Sequence, residues 1–231
     1  AITGVSVGEL FRLDPALAIP TVQGSVESWL EQARTGNQQI RAREFAVDAA
    51  DKMVAQRQGA YMPRVTLIAQ KQLSDIGFDN VPINRTDTDY IGVDVQIPIF
   101  AGGSNRAQVA EARSQHTIAE NELRQVELEI VESTRMAFLQ VKSAELRVQA
   151  AERLAESTAL SYTARQRGFE LGTVNSVDVL NALRDRFSAE RDLQRARYDH
   201  IRYSLLLKRE AGTLSADDLL DVGNWLVEPQ N

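Results

Sequence analysis

The apolar residues of the chain follow two different periods, which separate helical from extended segments. From Ser25 to about Tyr61 they recur three and four positions apart, which predicts one amphipathic helix with Ser25 as its N-cap. Pro63 ends this helix because proline has no backbone amide hydrogen. Residues 1–24 contain several glycines and prolines, so we interpret them as an irregular or partly extended lead-in.

After Pro63 the pattern changes to alternation, which predicts two β-strands. In residues 64–73 the apolar Val65, Leu67 and Ala69 lie on one side of the strand, and in residues 90–100 every odd-numbered position from Ile91 to Ile99 is apolar. The polar loop between them is too long for a tight hairpin turn. This combination is typical of an outer-membrane β-hairpin, but an ordinary hairpin on a soluble core produces the same pattern more often. Two strands cannot close a barrel, so a barrel would need further strands.

Helical periodicity returns after a glycine turn and continues much longer than in most globular proteins. No proline or glycine interrupts residues 104–167, so we predict a helix of about 100 Å with Ser104 as candidate N-cap. A heptad series of apolar residues marks one seam, and a second seam runs beside it. Two seams rich in alanine suit a helix with close neighbours on both sides, as in a sheet or tube of helices. The heptad series comprises Leu123, Ile130, Ala137, Ala144 and Ala151.

The stretch GFELGTVNSVDVLN, residues 168–181, separates this helix from the next one. Asn175 is the expected N-cap of a helix that runs to about Ala211. Asp178 would then lie at the third helical position, where a carboxylate interacts with the helix dipole and stabilises the helix by about 0.3–1 kcal/mol. Gly212 is expected to cap the C-terminus, and Ser215 to begin a short final helix.

Composition and motifs narrow the function. A net charge of −6 argues against a nucleic-acid partner, and the absence of cysteine excludes disulfides and thiolate metal sites. There is no transmembrane-length apolar stretch, and the N-terminus lacks a signal-peptide pattern, so the protein is either not exported or shown without its signal. Phosphate loops, serine elbows and zinc motifs are missing, and His116 and His200 stand alone on different helices. We therefore expect no enzyme activity, metal or cofactor.

Four short motifs stand at the junctions between the predicted elements. They are YMPRVTL, VQIPIFAGGSNRAQVAEA, GFELGTVNSVDVLNA and AGTLSADDLL. Each is weak alone, but in this order they closely resemble the C-terminal structural repeat of the TolC family of outer-membrane channel proteins. The resemblance covers nearly the whole chain.

The resemblance implies a mainly α fold. Family members are trimers whose protomers each supply two such repeats, giving a twelve-stranded outer-membrane β-barrel continued by a tube of helices through the periplasm. The chain would therefore contain long antiparallel coiled-coil helices of an α-barrel and a two-stranded β-hairpin of a trimeric β-barrel, without its N-terminal repeat. The implied regions are the lead-in (1–24), the periplasmic α-barrel (25–62 and 104–211), the outer-membrane hairpin (63–103) with its extracellular loop (74–89), and an equatorial or C-terminal segment (212–231).

The resemblance also implies site residues. It places residues 168–181 at the periplasmic tip, where the channel narrows. Asp178 and Asn181 would line the constriction, with Asn181 replacing a second carboxylate. Phe169 and Val174 replace a tyrosine and an arginine that help to close the best-known member, so the closing network is expected to differ. The implied adaptor contacts are Gly168, Phe169, Gly172, Thr173 and Val174, and the implied helix–strand transitions are Pro63, Pro98, Gly102 and Gly103.

One residue extends this site by helix geometry. Asp185 follows Asp178 by two turns and should share its face, which predicts a second acidic ring. Arg184 and Arg186 flank Asp185 and could instead neutralise it.

The expected function is a passive exit duct, namely an outer-membrane channel subunit of a tripartite efflux pump or a type I protein secretion system in a Gram-negative bacterium. The implied partners are a homotrimer with its own missing N-terminal repeat, outer-membrane lipid, a periplasmic adaptor protein and an inner-membrane pump or ABC transporter. The alternative is a non-membrane structural coiled-coil or helical-hairpin interaction module, with the strands in a small soluble sheet.

Overall fold

A computed structural model describes residues 12–14, 21–74 and 86–227, and it confirms the mainly helical fold with a two-stranded antiparallel hairpin. The chain divides into two compact units, one made of the described residues up to Arg41 and from Gln125 onward, the other of Ala42–Arg124. No helix within the described ranges is both long and apolar enough to span a membrane. The elements are β1 (Arg12–Leu13), α1 (Val26–Gly36), α2 (Gln38–Gln58), a 3-10 turn (Gly59–Tyr61), β2 (Arg64–Ser74), β3 (Thr86–Gln96), α3 (Ser104–Glu170), α4 (Ser176–Glu210), α5 (Ala216–Asn224) and β4 (Leu226–Val227).

Small residues, chiefly alanine, recur in the buried core of the first unit, to which α1, α2, α3 and α4 all contribute. Ile130, Ala137 and Ala144 of the predicted heptad series are buried on α3, and Ala182 and Ala189 are buried on α4. Alanine at these positions lets two helices approach closely. A larger side chain enters the core at Leu207, which packs on Ala137 and Val141.

A short antiparallel pair of strands ties the lead-in to the C-terminal part of the chain. Leu13 of β1 pairs with Leu226 of β4, and Leu13 is buried. The Leu13 amide donates to the Tyr198 hydroxyl at 3.0 Å, while the guanidinium of Arg197 donates to the Asp14 carbonyl at 3.1 Å. Residues 12–14 of the lead-in are thus extended and fixed to α4. Residues 21–24 of the lead-in are described as well and are in neither helix nor strand, whereas residues 1–11 and 15–20 lie outside the described ranges.

The prediction of one helix from Ser25 to about Tyr61 is wrong, because the helix breaks at Asn37. Ser25 does cap α1, by accepting a hydrogen bond from the Ser28 amide. Asn37, however, has extended backbone angles (φ −70°, ψ 125°), and its side chain bonds both to the start of α2 and to the end of α4. Its Oδ1 accepts from the Gln39 amide at 2.8 Å, and its Nδ2 donates to the Glu210 carbonyl at 2.8 Å.

The hairpin of the second unit is fully paired from Arg64↔Gln96 to Ser74↔Thr86. The predicted second strand, residues 90–100, is shifted: β3 begins at Thr86 and ends at Gln96. Antiparallel pairing would place Ile97 opposite Pro63 and Ile99 opposite Tyr61, which belongs to the 3-10 turn, and Pro98 has no amide hydrogen to donate. The predicted loop 74–89 is correspondingly too long, since Ser74 and residues 86–89 are in strands and residues 75–85 lie outside the described ranges.

The entry to α3 depends on two glycines. Gly102 and Gly103 have φ of +59° and +85°, which residues with a Cβ rarely adopt. The prediction of Ser104 as N-cap is wrong by one residue, because α3 begins at Ser104 itself and the Gly103 carbonyl accepts the first helical bond, from Ala107. Pro63 directly precedes β2, and Pro98 lies between β3 and this turn.

His200 is a buried histidine of the first unit. The residue is only 2% exposed, and the Nε2 atom of its imidazole has no hydrogen-bond partner among the described residues. Burial lowers the pKa of His200 below its ordinary value of 6.5; the Glu145 carboxylate acts in the opposite direction, and the Lys142 ammonium adds to the lowering. His200 is therefore neutral in the folded protein at neutral pH.

Acid should weaken the first unit through His200. Because the folded-state pKa is lowered, the stability associated with neutral His200 is complete above the ordinary pKa and is lost as the pH falls through the folded-state pKa. We expect His200→Gln to lose less thermal stability than the unmodified protein between about pH 7.5 and about pH 5. The control His116→Gln should keep the full acid response. Equal acid responses of His200→Gln and the unmodified protein would contradict this assignment.

Candidate functional site

The site is the tip turn, defined here as residues 168–175, together with the first turns of α4. The tip turn closes α3 by two backbone hydrogen bonds, from the Gly172 amide to the Phe169 carbonyl (2.9 Å) and from the Thr173 amide to the Gly168 carbonyl (2.8 Å). This pair of bonds is the Schellman arrangement, whose reversing residue must be left-handed. Gly172 meets that need with φ +74°.

Gly168 lies in the last helical turn of α3, before the chain reverses. Its carbonyl also accepts the Thr173 hydroxyl (2.9 Å) and the Val174 amide (3.2 Å). A Cβ on Gly168 would lie 2.6 Å from Val174 Cγ2, so the missing side chain makes room for Val174 to fold back on α3.

The start of α4 is as predicted. Asn175 has extended backbone angles (φ −85°, ψ 163°), and its side chain accepts a hydrogen bond from the Asp178 amide at 2.9 Å. Asn175 is therefore the N-cap, and Asp178 occupies the third helical position, where its charge faces the positive end of the helix dipole.

The same turn occurs a second time at the end of α4, which we did not recognise in the sequence. The segments ELGTVNSVD (170–178) and EAGTLSADD (210–218) share Glu, Gly, Thr, an apolar residue, a capping residue and Asp at equal spacing. At the second site the Gly212 amide donates to the Arg209 carbonyl and the Thr213 amide to the Lys208 carbonyl, while Ser215 caps α5. The repeated sequence pattern was the signal from which the second turn could have been predicted.

The two turns differ in how they use the final carboxylate. Asp218 accepts the Ser215 amide at 2.8 Å and is ion-paired with Lys208; these contacts, led by the one to Lys208, hold its pKa below the ordinary value. The half-buried Asp178 carboxylate makes no such hydrogen bond or ion pair with any described residue. Its charge is left available to a partner or to solvent.

Asp178, Asn181 and Asp185 follow one another along α4. Seven residues correspond to nearly two turns, so Asp178 and Asp185 point in similar directions about 10.5 Å apart along the axis. Asn181 and Asp185 are exposed. Arg186 does not neutralise Asp185: it pairs with Glu190 at 2.8 Å and lies over the Tyr162 ring at 5.6 Å. Arg184 forms no ion pair within the described ranges.

Several large apolar side chains at the tip turn and the start of α4 are exposed. Phe169 is half-exposed and Leu171 is 80% exposed, and Val177 and Leu180 on the first turns of α4 are also exposed. Contiguous exposed apolar residues mark interaction surfaces. Leu171, Val177 and Leu180 are not among the contact residues that the resemblance implies, although their apolar character next to a turn is visible in the sequence.

Comparison with known proteins identifies the family to which this arrangement belongs. The sequence model of the family described as "Outer membrane efflux protein" matches residues 29–213, which include the hairpin, both long helices and the tip turn. The chain belongs to the outer membrane efflux protein family. The TolC-like resemblance of its motifs is thereby confirmed.

Individual relatives and structures agree with this membership. Outer membrane protein TolC of Vibrio cholerae is 28% identical over 230 residues, covering 97% of this chain and 52% of TolC. Alkaline protease secretion protein AprF of Pseudomonas aeruginosa is 27% identical over 213 residues, covering 92% of this chain and 43% of AprF. The crystal structure of the Campylobacter jejuni CmeC outer membrane channel has the same fold (TM-score 0.78, 14% identity, 90% of this chain and 52% of CmeC). This outer membrane efflux protein chain spans about half the length of the curated relatives it matches.

Proposed function

We propose that the chain is a channel subunit in the outer membrane of a Gram-negative bacterium and extends into the periplasm. There it would serve as the passive exit duct of a tripartite efflux pump or a type I secretion system. The family match over residues 29–213 carries this proposal. The names of the relatives include both outer-membrane efflux and protease secretion, so both kinds of export system are retained. In this role the protein performs no chemistry.

The hairpin supports a position in the membrane. On one of its faces the register brings together Val65 with Val95, Leu67 with Val93, and Ala69 with Ile91. The large residues of this face are 56–79% exposed, so nothing else in the described chain covers them. At the loop end of the same face Lys71 and Asp89 are 3.8 Å apart, which marks a change from apolar to charged surface. We assign residues 63–103 to the β-barrel of a trimer, with the apolar face toward lipid.

The long helices support a place in a tube of helices. Several large apolar residues of α3 remain exposed beside its buried seam, among them Leu128, Leu139, Leu146 and Leu160. Such a helix needs further helical neighbours. We assign residues 25–62 and 104–211 to a periplasmic α-barrel, residues 212–231 to an equatorial or C-terminal segment, and the missing neighbours to other repeats of a homotrimer.

The tip turn is proposed as the contact for a periplasmic adaptor protein that connects the channel to an inner-membrane pump or ABC transporter. Its apolar surface at Phe169 and Leu171 is suited to a protein partner, and Gly172 leaves room for a close approach because no atom lies within 4 Å of a Cβ placed there. Thr173 and Val174 complete this surface, and Gly168 positions it.

Asp178 and Asp185 are proposed to line the constriction with Asn181 between them. In a trimer each would form a ring of three carboxylates, which attracts cations and repels anions. We expect Asp178→Asn and Asp185→Asn each to lower the cation-to-anion permeability ratio of the channel in planar bilayers, and the double variant to lower it further. Asp217→Asn, which removes an exposed carboxylate from α5, is the control. An unchanged ratio in both single variants would refute the acidic rings but not the channel.

The channel itself is tested by the mass of the protein in detergent and in plain buffer. Trimers or larger multiples of three that require detergent are expected, because the apolar face of the hairpin needs a lipid-like environment. A soluble monomer in both conditions would favour the alternative, a non-membrane helical-hairpin module.

A further inference from the structure

A cavity of about 390 Å³ lies between α1, α4 and α5 in the first unit. Its apolar walls are formed by Val22, Ile201, Leu205 and Val222, and the indoles of Trp29 and Trp225 complete them. This volume is within the range of small-molecule sites in proteins. Both tryptophans of the sequence line this one cavity, although 196 positions separate them.

Hydrogen bonds hold the indole of Trp29 and the backbone of Trp225 in place. The Trp29 indole donates its Nε1–H to the Gln23 carbonyl at 3.0 Å, so its polar atom is already satisfied and the ring offers only aromatic surface. The Trp225 carbonyl accepts the Asp14 amide at 3.0 Å, and the Trp225 amide donates to the Val222 carbonyl at 3.2 Å. A ligand would therefore meet a positioned Trp29 ring, beside a second tryptophan whose backbone is fixed.

The charged groups on the cavity wall leave one negative charge without a partner. Lys208 and Asp218 line the cavity but form an ion pair with each other. Asp221 also lines it and makes no ion pair or hydrogen bond within the part of the chain that the structure describes. The three groups together therefore carry a net charge of −1, concentrated at Asp221.

We propose that this cavity binds a small organic ammonium cation with an apolar body, anchored by Asp221. Indole faces attract cations through their electron-rich surface, and the carboxylate supplies the opposite charge. The apolar walls accommodate the body of the ligand. The site shares no residue with the tip turn or the constriction, so it is an addition to the proposed channel function and does not depend on it. A ligand here would bridge α1, α4 and α5.

The test uses the intrinsic fluorescence of the two tryptophans in the full chain. Benzyltrimethylammonium chloride is titrated at constant ionic strength, beside the anion phenylacetate and the neutral benzyl alcohol. We expect a saturable change in tryptophan fluorescence with the cation. The affinity for the other two compounds should be at least about tenfold lower, since neither is attracted to the Asp221 carboxylate. A change that does not saturate, or equal affinity for phenylacetate, would overturn the proposal.

Two variants on the same helix make the test specific. Asp221→Asn should weaken binding of the cation about tenfold, whereas Asp217→Asn, an exposed carboxylate of α5 that does not line the cavity, should leave it unchanged. Thermal midpoints of both variants establish that they are folded. If Asp221→Asn binds the cation as tightly as the unmodified protein, or if the unmodified protein does not bind it at all, the site is not a cation site.

Discussion

Replacement of Gly212 by alanine is expected to destabilise the first unit by about 2–5 kcal/mol. Gly212 has φ +70°, where an L-residue costs about 1–2 kcal/mol. A Cβ there would also lie 2.5 Å from the Gly36 carbonyl oxygen and 2.8 Å from Asn37 Cα. These are backbone atoms at the break between α1 and α2, so they cannot move aside as a side chain would. Urea denaturation followed by circular dichroism would measure the loss.

The repeated turn provides a matched control for this prediction. Gly172 has nearly the same φ, +74°, and the same hydrogen bonds, but a Cβ there would meet no atom within 4 Å. Gly172→Ala should therefore cost only the backbone term, about 1–2 kcal/mol. Equal losses for Gly172→Ala and Gly212→Ala would mean that the contact between Gly212 and Gly36 is not rigid.

Replacement of Leu207 by alanine is the second change with a large expected effect, about 2–5 kcal/mol. Leu207 is 0% exposed and is the largest residue in the buried cluster with Ala137 and Val141. The two other fully buried members of this cluster have short side chains that cannot extend into the space left by leucine. The loss should be visible as a lower denaturation midpoint with an unchanged slope.

The control for Leu207 is a leucine of the same size on α3. Leu160 is 72% exposed, so Leu160→Ala should change the stability of the isolated chain by less than about 0.5 kcal/mol. A loss at Leu160 comparable to that at Leu207 would show that the core of the chain extends beyond the residues identified as buried.

Features controlled by neighbouring residues were predictable from the sequence. The long helix predicted over residues 104–167 is observed as Ser104–Glu170, and the caps at Asn175 and Ser215 were identified correctly. Gly212 was identified as the glycine that ends α4, where it is the left-handed residue after the C-cap Ala211. In each case the decisive residues lie within a few positions of the boundary: a glycine that can adopt positive φ, or a side chain that accepts a nearby amide. Asp178 was placed correctly at the third helical position for the same reason.

Features that depend on distant residues were not predictable. The break at Asn37 is stabilised by the Glu210 carbonyl, 173 positions away. The alternation of β3 continues to Ile99, but pairing stops at Gln96 because the opposite strand begins only at Arg64. Within the site, residue spacing alone does not decide whether Arg186 pairs with Glu190 or neutralises Asp185. Spacing also does not show that Arg186 contacts Tyr162 on α3.

The two copies of the turn have different freedom to vary. At Gly172 the surroundings are open, and neighbouring side chains such as Leu171 contribute little to the buried core. At Gly212 the backbone of another segment fills the space. Mutations in the turn at Gly172 can therefore accumulate with small losses of stability, while the turn at Gly212 is constrained by the fold. Engineered side chains can therefore be introduced next to Gly172 without changing the scaffold that supports the turn.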